Sequence, residues 1–183
     1  MRVLLTVGHG TLTAPALINM LRGAGVTTVV DVRLVPRSRH NPQFDQSALD
    51  ESVTAAGIGY RWERDLGGFR RPSTQSPHLA LRHPAFRGYA DWMEGERFRA
   101  ALGTVVARAT VERPAVMCSE SVWWRCHRRL IADYVALCVD GVTPRHLLHD
   151  GSIVEHRLTD GARRGGDCVV YDVGIAPPLF MGS

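Results

Sequence analysis

Short apolar runs separated by helical and turn-like segments predict an α/β domain. Thr13 is placed to cap a short helix that contains Leu17 and Leu21 at helical spacing. The runs on either side of that helix end in Gly, His, Asp or Arg and predict buried strands at 2–7 and 26–33. A strand, a helix and a second strand within about 30 residues form a βαβ unit, which implies parallel strands.

The rest of the chain continues this alternation. Further strands are predicted at 58–62, 114–120 and 143–149, and further helices at 47–56, 86–109 (with a break near Gly95) and 124–139. Two segments rich in proline, 34–46 and 63–84, predict loops, and the second is long enough to be functional or mobile. Two runs in the tail, "IVEHRL" and "CVVYDV", are candidate edge strands.

Polar residues follow the predicted strands where each strand ends. They are Gly8-His9-Gly10, Asp31-Val32-Arg33 and Cys118-Ser119-Glu120, with a further candidate group at 146–149. Ligands of parallel α/β sheets bind outside the carboxyl ends of the strands. We therefore expect these groups to line one site.

Composition narrows the chemistry of that site. The chain has 183 residues, 45% of them hydrophobic, and a net charge of +4. All 22 basic residues are arginine, which excludes Schiff-base and phosphate-loop lysines and leaves guanidinium groups, backbone N–H groups or histidine to bind an anion. No run approaches the ~18 apolar residues of a membrane span. The four cysteines show no disulfide spacing, so we expect a reduced, cytoplasmic setting without a membrane partner.

Two segments of the sequence are similar to known motifs, but neither segment matches its motif. Gly8-x-Gly10 with Asp31 is similar to a dinucleotide fingerprint, but Thr13 stands at the third glycine position, so a tight turn is the better interpretation. Cys118 lies between a strand and a helix, as a thiolate nucleophile does. Six residues nevertheless separate it from Arg125, whereas a phosphatase loop has five between its Cys and Arg.

The sequence does not predict a metal centre. Cys118, Cys126 and His127 carry suitable donors, but their spacing is not that of a zinc motif. If residues 126 and 127 are helical, their side chains diverge by ~100° and cannot easily share one ion. A site formed by Glu120 with a distant histidine stays open, and no particular cofactor is indicated.

An anion pocket is the preferred interpretation. Arginines cluster in each predicted ligand-edge loop, and guanidinium groups recognise phosphate with paired hydrogen bonds. The carboxylates Asp31 and Glu120 lie at neighbouring strand ends, either as ion-paired structural groups or as general acids and bases.

Several longer stretches together resemble one family. They are "TVGHGT" (6–11), "VVDVRLVPRSRHNPQF" (29–44), "GIGYRWERDLGGFRR" (57–71), "FRGYADWM" (86–93), "VMCSESVWWRCHRRLIA" (116–132) and "GVTPRHLL" (141–148). The chain resembles, over about residues 3–150, the bacterial and archaeal family catalogued as domain of unknown function 488. The resemblance implies a Rossmann-like three-layer α/β domain at 1–150, with a mainly parallel sheet and helices on both faces. It implies no reaction. Residues 151–183 are then an extension that packs on this domain or pairs with it.

The leading hypothesis is an enzyme that cleaves a phosphoester or N-glycosidic bond in a phosphate-bearing small molecule or nucleic acid. Its candidate catalytic residues are His9, Asp31, Cys118, Glu120 and His127. Its candidate anion- or substrate-binding residues are Arg33, Ser38, Arg39, Tyr60, Gly67, Gly68, Arg70, Arg125 and Arg128. Two alternatives are rhodanese-like sulfur transfer at Cys118 and a nucleic-acid-binding module without catalysis, in which Tyr60, Trp62, Trp123 and Trp124 stack bases.

Overall fold

A computed structural model describes residues 2–174. Six of its eight strands form one sheet that organises the chain. The strands are β1 Arg2–Gly8, β2 Thr28–Asp31, β3 Gly59–Trp62, β4 Pro114–Cys118, β5 Val142–Leu147, β6 Ile153–Glu155, β7 Ala162–Gly165 and β8 Cys168–Tyr171. The helices are α1 Ala14–Gly23, α2 Gln46–Ala55, α3 Pro84–Met93, α4 Glu96–Arg108 and α5 Arg128–Cys138.

The sheet has the order β3-β2-β4-β1-β5-β6. β1 to β5 are mutually parallel, and β6 is an antiparallel edge strand beside β5. β7 and β8 form a separate antiparallel hairpin. The predicted edge strands of the tail therefore divide between the main sheet and this hairpin.

Helices cover both faces of the sheet. On one face, Leu5 and Val29 pack in a core with α1 and α2. On the other face, Leu4 and Val116 pack in a core with α3, α4 and α5. Successive residues of β1 point to opposite faces of the sheet, and both faces are buried under helices. This arrangement confirms the Rossmann-like three-layer α/β fold with a mainly parallel sheet.

Local signals placed most helix boundaries correctly. Thr13 caps α1 by accepting a hydrogen bond from the Ala16 N–H, and α3 and α4 meet near Gly95. The predicted start of the last helix at Trp124 is wrong. Residues 123–125 form a 3-10 turn, Cys126 is extended, with φ −119° and ψ 150°, and α5 begins only at Arg128. Trp124 and Arg125 therefore precede α5.

The segment after β5 is held to α5 by the buried carboxylate of Asp133. Its Oδ1 is 2.8 Å from His156 Nε2 and accepts the Thr159 N–H at 2.9 Å, while its Oδ2 accepts the Tyr171 hydroxyl at 3.0 Å. Asp133 is fully buried, so its hydrogen bonds replace those that water would make. One side chain on α5 thus fixes three points of the segment that contains β6 and β8.

None of the helices within residues 2–174 is both long enough and apolar enough to cross a membrane.

Replacing Asp133 by alanine should lower the free energy of unfolding by at least about 3 kcal/mol, because several buried donors lose their acceptor at once. Urea denaturation of the two proteins measures the difference. Asp140→Ala is the matched control, since Asp140 is exposed, and it should change stability by less than about 0.5 kcal/mol. Equal effects of the two substitutions would show that Asp133 does not hold the C-terminal segment.

Candidate functional site

The polar ends of three strands meet at one edge of the sheet. Gly8 of β1 lies opposite Cys118 of β4, and the His9 N–H donates to the Cys118 carbonyl at 3.0 Å. β2 flanks β4 on its other side, where the Val32 N–H donates to the Met117 carbonyl at 2.9 Å. The chain leaves β2 and β4 toward helices on opposite faces, which opens a crevice between their ends.

A cleft of about 450 Å³ occupies this crevice. Its walls come from the loop after β2, the loop that contains Gly67-Gly68, and the loop between β4 and α5. The lining residues are Arg33, Leu34, Val35, Arg37, Ser38, Gly68, Phe69, Cys118, Ser119 and His127. Three segments distant in sequence thus form one concave surface.

Two thiols and an imidazole cluster at the inner end of the cleft. His127 Nδ1 lies 3.6 Å from Cys126 Sγ and 4.0 Å from Cys118 Sγ, and all three donor atoms lie within 4.8 Å of one another. The sequence argument against such a cluster assumed that residues 126 and 127 are helical, and that assumption is wrong. Because Cys126 is extended and His127 precedes the first turn of α5, their side chains converge.

Arg128 holds this cluster from behind. Its side chain is 1% exposed, and its Nε donates to Cys126 Sγ at 3.4 Å. Its Nη1 donates to Thr6 Oγ1 at 3.4 Å, and its Nη2 donates to the Glu120 carbonyl. Arg128 therefore joins β1, the loop after β4 and Cys126, and does not line the cleft.

The two thiols differ in acidity. A hydrogen bond with Cys126 and burial raise the pKa of Cys118 above its usual value. Burial alone would raise the pKa of Cys126 too, but the hydrogen bond from Cys118 and the adjacent Arg128 guanidinium lower it. Of the two sulfurs, Cys126 is the one whose surroundings favour the thiolate.

Asp31 and Arg33 form a buried ion pair. Arg33 Nε and Nη2 donate to the carboxylate at 2.9 and 2.5 Å, and Tyr60 adds a hydroxyl at 2.8 Å. Burial alone would lower the pKa of Arg33, but the Asp31 carboxylate raises it; burial and the same carboxylate raise the pKa of Tyr60. Asp31 is thus fully engaged as an acceptor, which suits a residue that positions Arg33 rather than a general base.

His9 lies under this pair and not in the cleft. It is 1% exposed, packs on Phe44 with ring centroids 4.1 Å apart, and places Nε2 3.4 Å from Arg33 Nη1. Burial, with a smaller contribution from Arg33, lowers the pKa of His9 to about 4. His9 is therefore neutral at pH 7.

Glu120 supports the loop after β4. Its carboxylate Oε1 accepts the Val122 N–H at 2.9 Å, and its side chain is not among those that line the cleft. A Cβ on Gly8 would lie 1.9 Å from the Glu120 carbonyl oxygen, so the close crossing of β1 by this loop requires glycine at position 8.

A second glycine brings the opposite wall against His127. A Cβ on Gly68 would come within 2.9 Å of His127 Nδ1, so a larger residue at position 68 would displace the His127 ring. The next residue, Phe69, has φ of 59° and is 89% exposed at the rim of the cleft. Positive φ is unusual for a bulky side chain and recurs at functional sites.

Several predicted anion-binding residues lie elsewhere. Arg70 places its guanidinium 3.9 Å from the ring centroid of Trp92 and donates to the Gly67 carbonyl at 3.2 Å. Gly67 packs against the Leu34 backbone. Arg39 and Arg125 are exposed, and neither lines the cleft. Of the predicted set, Arg33, Ser38 and Gly68 line it.

The candidate stacking residues are mostly engaged. Trp123 stacks on His146 at 4.0 Å, the Trp62 N–H donates to the Arg33 carbonyl at 2.9 Å, and the Tyr60 hydroxyl binds Asp31. Trp124 is 55% exposed. It borders a larger cleft of about 970 Å³, formed with residues 80–83 and 157–160, that includes none of the cysteines.

The predicted catalytic and anion-binding residues leave out several that the fold brings to the site, although Cys126, Ser119 and Arg37 belong to motifs that the sequence had singled out. They are Cys126 in the cluster, and Leu34, Val35, Arg37, Phe69 and Ser119 on the cleft walls. The position of Cys126 next to His127 pointed to a shared site. The prediction that the helix begins at Trp124 made the two side chains diverge, so Cys126 was not chosen. Arg37 stood in the first arginine cluster, but nothing in that loop distinguishes it from Arg39.

A family model described as "Domain of unknown function DUF488" matches residues 13–135. The chain belongs to this family. The match includes the cleft walls and the cluster of Cys118, Cys126 and His127, and it ends within α5. It carries no reaction or ligand. Comparison with curated proteins and with solved structures gave no match.

The depressed pKa of His9 makes stability depend on pH. The unfolded chain takes up a proton near pH 6.5, whereas folded His9 does so only near pH 4. The contribution of neutral His9 is therefore complete above pH 7 and is lost as the pH falls from 6.5 toward 4. Urea denaturation between pH 7.5 and 4.5 should show wild type losing about 2–3 kcal/mol more than His9→Gln. Parallel losses in both proteins would contradict this assignment.

Proposed function

We propose that the chain is an enzyme that acts on a phosphate-bearing substrate, a nucleotide or nucleic acid, in the cleft between the ends of β2 and β4. The observation that carries the proposal is the composition of that cleft, in which Arg37, Ser38 and Ser119 share its walls with Cys118 and His127. A cationic and hydroxyl-bearing wall suits phosphate oxygens, while sulfur and imidazole supply the reactive groups.

Within this proposal, Arg37 is the principal anion-binding side chain. It is exposed, and no hydrogen bond joins its guanidinium to residues 2–174. Arg33 also lines the cleft, but Asp31 neutralises its charge at 2.5 Å. Phosphate recognition would thus depend on Arg37 for charge and on Ser38 and Ser119 for further hydrogen bonds.

The chemistry is better assigned to Cys118, Cys126 and His127 than to the carboxylates. Asp31 already accepts hydrogen bonds from Arg33 and Tyr60, and Glu120 accepts from the Val122 N–H. His127 lines the cleft, and its buried Nε2 has no hydrogen-bond partner among residues 2–174, so no other side chain already occupies that nitrogen. We therefore propose His127 as the group that moves a proton or orients the reacting atoms.

Thiol chemistry at Cys118 is the second candidate function. One observation favours it: Cys118 lines the cleft, and the sulfur of Cys126, which does not line the cleft, lies within 4.8 Å of the Cys118 sulfur. In such a step the Cys118 thiolate would attack the outer sulfur of a sulfane donor, whose remainder leaves with the bonding electron pair. The Cys126 thiolate could then attack the outer sulfur of the Cys118 persulfide and release Cys118 as a thiolate.

Phosphate binding should depend on Arg37. Titration calorimetry with inorganic phosphate and AMP should give at least about tenfold weaker binding for Arg37→Gln than for wild type, since one charge-assisted hydrogen bond contributes roughly 1.5–3 kcal/mol. Arg99→Gln removes the same charge from an exposed site on α4 and should bind as wild type does. If wild type binds neither probe, the proposal fails.

The rate of turnover should depend on the Cys118 thiol and the His127 imidazole. A panel of nucleotides and short oligonucleotides, followed by chromatography for released phosphate, nucleoside or base, identifies the reaction. Cys118→Ser and His127→Gln should lose at least about a hundredfold in kcat, on the scale of general acid–base contributions, with phosphate affinity nearly intact. Glu120→Gln should retain at least about a tenth of the rate. The reverse ranking would return the chemistry to the carboxylate.

A further inference from the structure

We propose that Cys118, Cys126 and His127 bind one zinc ion, with a fourth coordination position open to the cleft. Binding of the ion stands on the geometry of these residues alone. Its role as the reactive centre rests on the function proposed above.

The spacing of the three donor atoms matches a tetrahedral zinc site. With Zn–S near 2.3 Å and Zn–N near 2.0–2.1 Å, tetrahedral geometry puts sulfur and nitrogen about 3.6 Å apart and two sulfurs about 3.8 Å apart. The observed Sγ–Nδ1 distances are 3.6 and 4.0 Å, and no pair of donors exceeds 4.8 Å. An ion could therefore be held with side-chain adjustments of less than about 1 Å.

The fold brings the donors together from two fixed elements. Cys118 is the last residue of β4, in register with Gly8 of β1. The chain then leaves the sheet, makes a 3-10 turn at Trp123–Arg125, and returns so that Cys126 and His127 stand at the start of α5. The His127 carbonyl accepts the Leu130 N–H at 2.9 Å, which fixes His127, and with it the adjacent Cys126, to the helix.

The donor types select the metal. Two thiolates and an imidazole suit zinc or a similar borderline ion, whereas magnesium and calcium prefer carboxylate and carbonyl oxygen. Both cysteines are buried, at 7% and 4% exposure, so water competes poorly for their sulfurs. Arg128 Nε donates to Cys126 Sγ, a second-sphere contact of the kind that orients a ligand.

The number of donors indicates a catalytic rather than a structural site. Structural zinc sites are closed by four protein ligands, whereas catalytic ones keep three and leave a position for water or substrate. Among residues 2–174, the cluster comprises three Cys, His or carboxylate side chains. Two of them, Cys118 and His127, line the cleft, so the open position faces it. An ion there would polarise a bound water.

Cobalt substitution tests the site. Metal-free protein titrated with Co²⁺ should develop a thiolate-to-cobalt charge-transfer band and the visible bands of a tetrahedral ion, saturating at one equivalent per chain. One equivalent of Zn²⁺ should abolish both. Cys126→Ser and His127→Gln should weaken cobalt binding at least about a hundredfold.

Matched controls come from the two other cysteines. Cys138 and Cys168 are half-buried free thiols outside the cluster, and Cys138→Ser and Cys168→Ser should bind cobalt as wild type does. Circular dichroism identifies any variant that fails to fold. In that case Cys118→Ala takes its place, and elemental analysis of the purified wild-type chain supplies the second measurement, with close to one zinc expected.

The proposal is overturned if metal-free protein shows no cobalt bands, or if Cys126→Ser binds cobalt as tightly as Cys138→Ser does. Loss of phosphate affinity in Arg37→Gln with an unchanged cobalt titration would separate the two proposals. Phosphate binding by a protein that takes up no metal would overturn the zinc site and leave the proposed function standing.

Discussion

The buried guanidinium of Arg128 is the interaction on which the arrangement of the site depends. Removing a guanidinium from water costs several kcal/mol unless all its donors find partners. Here the partners are the Thr6 hydroxyl, the Glu120 and Ser121 carbonyls and the sulfur of Cys126, and within residues 2–174 no carboxylate forms an ion pair with Arg128. Cys126 is the one partner that can carry negative charge. Burial of this cation therefore favours a thiolate at position 126.

Two neighbouring arginines differ from Arg128 in how their charge is used. Arg33 is buried against Asp31, so it contributes shape and hydrogen-bonding capacity to the cleft wall more than charge. Arg37, four residues later, is exposed at the same cleft. Arg128 holds the Cys126 thiol, Arg33 shapes the wall and Arg37 is exposed at the cleft. In the function proposed above, this division would separate substrate binding from the cluster of Cys118, Cys126 and His127.

Much of the architecture could be predicted from local signals. Thr13 capped α1 as expected, the break near Gly95 separated two helices, and the polar ends of β1, β2 and β4 met because parallel strands end at one edge. The sequence stretches that suggested the family lie largely within the matched residues 13–135. These features depend on periodicity, capping and strand direction, all of which are visible within a few residues.

The site was predictable only in part, because its contacts join segments that are far apart in sequence. Nothing local shows that Arg70 stacks on Trp92, or that Arg128 is buried while Arg37 is exposed. The apolar residues keep a helical spacing from α5 back to Trp124, so the sequence did not show the turn at 123–125. For the same reason it did not show that the side chains of Cys126 and His127 converge.

The sequence by itself determined the layered α/β fold, the sheet edge where a site could form and an inventory of donors without lysine. Only the tertiary structure decided which arginines face solvent, which carboxylates are already paired, and that two cysteines and a histidine converge. The physical reason is that hydrophobic periodicity and caps act within one or two turns of chain. The partner of a buried charge, by contrast, is set by packing between β1, β4 and α5, which no single segment encodes.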